Sequence, residues 1–223
     1  MVRQWLKAFT DLLFPRTCFS CNKKINSSIL CRECFEKIIF INPPICSLKN
    51  KEKGKYLSFD SLVSITLYRE PIVSLLHLYK YRHYAFLKDF FSALMIEHLD
   101  RWGFTLDHFD CLTAVPAHFL RRRDREYSQT GLLAENLAKK TGITLKSDLL
   151  SCHRAFPSQT GVKMSQRRQN VKGVFSINRS PKDLNILLLD DVFTTGSTLS
   201  ECSAVLKKHG AAGVTALTLA KAL

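Results

Sequence analysis

One stretch limits the fold more than any other: Ile186-Leu-Leu-Leu-Asp190-Asp191-Val-Phe-Thr194-Thr195-Gly196-Ser197-Thr198. Its four leading apolar residues suit a strand buried on both faces, as in a parallel sheet covered by helices. Two carboxylates follow, then a hydroxyl-rich turn around Gly196, then a helical pattern from Leu199 that stops at Gly210. In open α/β sheets ligands sit beyond the carboxyl ends of strands, where helix N-termini point free N–H groups. Residues 194–198 offer consecutive amides, and a glycine lets the backbone approach a phosphate. The carboxylates suit vicinal sugar hydroxyls or a hard cation such as Mg²⁺. A ligand carrying a ribose, a phosphate and magnesium satisfies both halves. The Gly-x4-Gly-Lys pattern of a P-loop is absent. The plainer alternative is a metal-free acidic turn followed by an ordinary helix cap.

The rest of the chain from residue 60 alternates in the manner of an α/β sheet protein. Strands are expected at 62–67, 111–115, 186–189 and 214–219, with an edge strand at 174–177. Helices are expected at 71–81, 84–100, 127–140 and 199–209, the third ended by Thr141-Gly142. At 223 residues the chain has room for one such core and a small appended module. Asn42-Pro43-Pro44 and the lysine-rich run 49–55 with Gly54 read as a linker, which places a boundary near residue 54.

The appended module carries the second strong signal. Cys18, Cys21, Cys31 and Cys34 form two Cys-x2-Cys knuckles separated by nine residues. Two thiolates of one knuckle can face one ion, and two knuckles close a tetrahedral shell around zinc. Four cysteine ligands leave no open coordination position, so the expected role is structural. A redox dithiol pair is the alternative. Cys111 and Cys202 read as small buried apolar residues, Cys46 and Cys152 carry no motif, and His83, His118 and His153 lack metal spacing.

The formal charge is +14, unevenly spread: residues 1–54 carry +6, residues 121–182 carry +10 and the remainder −2. This suggests a polyanionic partner, whether a phosphorylated metabolite, a nucleic acid or a membrane surface. Arg121-Arg122-Arg123 is its densest cluster. Trp5, Leu6, Phe9, Leu12 and Leu13 form an amphipathic stripe that suits packing on the ribbon or core better than a membrane surface. No apolar run is long enough for a membrane span and the N-terminus lacks the pattern of a secretory signal, so a cytoplasmic location is expected.

Residues 186–198 resemble the 5-phosphoribosyl-1-pyrophosphate (PRPP) loop of type I phosphoribosyltransferases, and the whole chain resembles the ComF family. The resemblance is carried by Leu13-Phe14-Pro15-Arg16-Thr17-Cys18, Leu78-Tyr79-Lys80-Tyr81, Ala114-Val115-Pro116-Ala117-His118, Gln159, and Arg167-x-x-Asn170-Val-x-Gly173-x-Phe175. It implies an α/β fold: a mostly parallel sheet flanked by helices (the type I phosphoribosyltransferase fold) with a small N-terminal zinc ribbon. Residues 1–54 would then be an N-terminal helix and ribbon, and 55–223 a phosphoribosyltransferase-like domain. The resemblance also implies site roles. Asp190 and Asp191 would hold the ribose hydroxyls, and Thr194, Thr195, Gly196, Ser197 and Thr198 the 5-phosphate. Lys80, Pro116, Ala117, His118, Arg167 and Arg168 are candidates for the pyrophosphate and its closing loop. Two departures stand out. The family's Arg-Gly-Phe-Asn-Gln is here Arg125-Glu-Tyr-Ser-Gln129, and Cys46 is followed by Ser47, Leu48 and Lys49 in place of another Cys-x2-Cys, so one zinc is expected.

Three functions fit. The first is a ComF-like protein that binds PRPP with magnesium and acts in DNA uptake and natural transformation by binding single-stranded DNA. The second is an active phosphoribosyltransferase with a nitrogenous acceptor that the sequence does not name. The third is a zinc-ribbon adaptor to a competence helicase or translocase. The +6 ribbon favours the first, because a site for one small substrate does not need it.

Overall fold

The computed structural model describes residues 17–26, 28–43, 45–47, 57–116, 128–153 and 173–222. Its centre is a five-stranded sheet in the order β1-β2-β7-β6-β3. The strands are β1 (Ile45–Ser47), β2 (Ser61–Leu67), β3 (Cys111–Ala114), β6 (Asn185–Phe193) and β7 (Gly213–Lys221). All neighbours are parallel except β1, which pairs antiparallel with β2 at the edge. A separate two-stranded antiparallel sheet joins β4 (Leu150–Cys152) to β5 (Phe175–Ile177). The edge strand expected at 174–177 is therefore half of this smaller sheet.

Helices cover both faces because β6 and its neighbours are apolar on both. Ile186 and Leu188 join one core with Leu62, Val214 and Ala216, under α5 (Ser197–Lys208). Leu187 and Leu189 join the other with Val63, Ile65, Leu217 and Leu219. Over that second face lie α2 (Ile72–Tyr81), α3 (Leu87–Arg101) and α4 (Gln129–Thr141). Ile186, Leu187, Leu188 and Leu189 are all fully buried, and each contributes roughly 2 kcal/mol of burial. That anchors the central strand and with it whatever stands at its end. α4 is bounded as its sequence suggests: Ser128 caps it through Gly131 N–H, and Gly142 closes it with φ +80°.

Two elements extend past their sequence-based limits. β6 runs through Asp190 and Asp191 to Phe193, with Asp190 opposite Thr218 of β7, so the acidic pair belongs to the strand and not to the turn after it. Pairing with β7 prolongs it, a tertiary effect that overrides the low strand propensity of aspartate. β1 lies on the N-terminal side of the linker at 49–55, yet adds a strand to the sheet, with Cys46 opposite Leu62. The ribbon, including the short α1 (Arg32–Glu36), contributes Leu30, Cys31, Cys34 and Ile38 to the same core as α2 and α3. Cys111 and Cys202 are fully buried, as expected of small apolar residues.

Candidate PRPP site and zinc ribbon

The four parallel strands present their carboxyl ends on one edge: Leu67 and Phe193 are both in register with Lys221, and Ala114 with Leu189. The acidic pair stands on this edge. The Nζ of Lys80, from the last turn of α2, lies 2.5 Å from Asp191 Oδ2, and only 23% and 13% of the two side chains are exposed. Burial pulls the Lys80 ammonium down, but Asp191, then Asp190 and Tyr68, outweigh it and raise the pKa. Asp190 accepts a hydrogen bond from the Asp191 N–H at 2.9 Å. Its carboxyl is nevertheless pushed up to about 7, first by burial and then by the Asp191 charge. On the α5 side, burial and then the Asp190 charge push the Cys202 thiol well up. The strand end thus holds two carboxylates and one cation, largely shielded from water.

Directly after it the chain turns into α5. Gly196 occupies the N-cap with φ 69° and ψ 4°, a left-handed conformation that disfavours a side chain. A Cβ there would lie 2.6 Å from the Phe193 ring and 3.3 Å from Leu57. The Thr195 and Ser197 hydroxyls are buried and bonded to each other at 2.8 Å, while Thr194 and Thr198 are half-buried. A helix of 12 residues with this N-terminus provides amides and a positive dipole end beside the carboxylates. Asp190, Asp191, Lys80 and residues 194–198 therefore converge.

Pro116 follows the end of β3 on the same edge, after Val115, whose N–H donates to Leu189 O at 2.9 Å. Ala117, His118, Arg121, Arg122, Arg123, Arg167 and Arg168 lie outside the described residues, as do most of the altered 125–129 motif and the N-terminal stripe. From that motif, Gln129 is buried at the start of α4. Its Nε2 donates to Lys80 O at 3.3 Å, and its own carbonyl accepts from Tyr79 Oη at 2.7 Å. Sequence reasoning missed that Gln129 positions the helix end bearing Lys80. A polar residue that is buried in a first helical turn leaves no signature in a sequence.

The ribbon brings its four thiols together, all within 4.8 Å of one another. Burial pushes Cys34 up to about 12, helped by hydrogen bonds to Cys21 and Cys31. Burial also raises Cys18, but the N–H groups of Cys21, Cys31 and Ser20 overcome it and hold the thiol at about 6. Donor type, number and spacing fit a structural zinc ion. Among the described residues no helix is long and apolar enough to cross a membrane.

Residues 9–53 match the family model of a double zinc ribbon domain. The chain is 28% identical over 210 residues to Competence protein F of Haemophilus influenzae, covering 92% of this chain and 90% of that protein. It is 29% identical to DNA utilization protein YhgH of Salmonella typhimurium, covering 73% and 72%. Competence protein ComFC of Bacillus subtilis is 26% identical, covering 85% and 83%. Similar solved structures include a purine phosphoribosyltransferase from Pyrococcus horikoshii, 22% identical with a TM-score of 0.38, covering 61% of this chain and 74% of that one. The ribbon match and the competence and DNA-utilization relatives together fit a ComF-family protein.

Proposed function

We propose that the chain binds PRPP with magnesium at the end of β6 and acts in DNA uptake by binding single-stranded DNA. The observation that carries the PRPP half is the juxtaposition of the Asp190–Asp191 pair and Lys80 with the Gly196-capped start of α5. Carboxylates accept hydrogen bonds from vicinal ribose hydroxyls, and the amides of residues 194–198 donate to a 5-phosphate. Lys80 supplies a cation for the pyrophosphate, and magnesium would neutralise the remaining charge of that group. Water exclusion at this half-buried strand end strengthens each contact.

The DNA half is supported by the names of the relatives, which speak of competence and DNA utilization, and by the +14 charge. Calorimetry of PRPP with Mg²⁺ against wild type and Asp190→Asn/Asp191→Asn tests the first half. Saturable binding that the double variant loses is expected; no binding to folded, zinc-loaded wild type would sink it. Affinity for a single-stranded oligonucleotide as a function of salt tests the second. A steep fall with salt, from counterion release, is the expected result, and no affinity at low salt would end that reading.

A further inference from the structure

The geometry points to a base-stacking platform for single-stranded nucleic acid where the zinc ribbon meets the α2–α3 turn, formed by Phe19, Tyr84 and Phe86. This rests on the nucleic-acid half of the proposed function and gives it a location. Phe19 belongs to the first zinc knuckle, its N–H bonded to Ile29 O at 3.1 Å. Its ring centroid lies 5.5 Å from Tyr84, edge to face, and 5.7 Å from Phe86; Tyr84 and Phe86 are 5.6 Å apart. The three rings therefore support one another, while Tyr84 is 36% and Phe86 46% exposed. A tight turn holds them, with Ala85 N–H bonded to His83 O and Leu87 N–H to Tyr84 O.

Charge selects the occupant. Residues 81–88 contain Arg82 and Lys88, with Asp89 the next carboxylate, and Lys24 stands on the ribbon side beside Lys23. Lys23 is paired with Glu33; among the described residues Lys24, Arg82 and Lys88 form no ion pair. Partly exposed aromatic rings on a turn that also carries unpaired cations suit a ligand that is both polyanionic and made of flat rings. The large apolar residues exposed at this turn, Tyr81, Tyr84 and Phe86, are all aromatic and so offer rings on which bases can stack.

The test uses the full zinc-loaded chain and anisotropy of a labelled oligothymidylate, an abasic strand of equal length, and anionic vesicles. Tyr84→Ala/Phe86→Ala should bind oligothymidylate about 10-fold more weakly or worse, with an unchanged salt slope and no loss on the abasic strand. Tyr84→Leu/Phe86→Leu keeps apolar volume without a π-face and should behave the same should the alanine pair misfold. Phe86→Tyr should bind as wild type. Unchanged oligothymidylate affinity in a folded double variant would overturn the platform, as would an equal loss on the abasic strand. A loss confined to vesicle binding, or to self-association in sedimentation, would assign the patch to a membrane or to a second copy. Wild type that ignores all oligonucleotides would instead defeat the nucleic-acid reading itself.

Discussion

Asp190→Asn should stabilise the ligand-free chain while removing the proposed PRPP affinity. The Asp190 carboxyl is pushed from the ordinary 3.8 to about 7 by burial and by Asp191, so the native state holds a proton that the unfolded chain has released. The stability this gives is complete below about pH 4 and is lost as pH rises through about 7. A shift of about three units corresponds to a ceiling of roughly 4 kcal/mol at 1.36 per unit. Water reaching the half-buried side chain reduces that to about 2 kcal/mol. Asparagine is neutral at every pH and nearly the same shape, so it avoids the loss. At pH 8 the variant should melt about 4–8 °C above wild type for a chain of this size. Near pH 4 the two should coincide. Thermal melts of both proteins across this range give the difference directly, and the ribbon's own proton uptake cancels between them. A variant less stable than wild type at pH 8, or a gap that does not change with pH, would refute the reasoning. PRPP affinity should fall in the same variant, because the amide donates where a ribose hydroxyl also donates.

Gly196→Ala forces a side chain into φ 69° and against Phe193; the conformation alone costs about 1–2 kcal/mol, which urea unfolding would read, and PRPP binding should weaken with it. Lys80→Met strips the cation from Asp191, at a cost of about 2 kcal/mol, below the range of a fully buried pair. The Lys80→Met/Asp191→Asn double variant should recover most of it in a double-mutant cycle, and an additive cycle would show that the pair carries no energy.

The fold was legible where burial dominates. Four apolar residues ahead of two aspartates determine a two-sided buried strand, and Gly142 and Ser128 sit where helix punctuation places them. What escaped was set by pairing partners. β1 and β4 are three residues each and exist because β2 and β5 are beside them. The candidate site was legible by residue type, but its wiring was not. The sequence offers Lys80 as one cation among 33; only packing of α2 against the sheet puts its Nζ on Asp191. Phe19 and Phe86 are 67 residues apart, and no periodicity in the sequence predicts that their rings meet.

That wiring gives the ribbon a role beyond its own fold. Cys31, Cys34, Leu30 and Ile38 share a core with Leu75, Leu76 and Tyr79 of α2, the helix that ends in Lys80. Without zinc, four thiols within 4.8 Å cannot all ionise; the Cys34 thiol, pushed up to about 12, keeps its proton even though Cys18 ionises at about 6. Zinc therefore enters with proton release, and its binding energy, roughly 10–16 kcal/mol in isolated fingers, becomes folding energy. If the shared core transmits only about 4 kcal/mol of this, stripping zinc lowers the melting point of the whole chain by roughly 8–16 °C. Calorimetry before and after chelation should show one transition moving as a unit, and PRPP affinity should fall with it because Lys80 rides on α2. Two transitions, the upper unmoved by chelation, would mean that the ribbon and the sheet are energetically separate despite their contact.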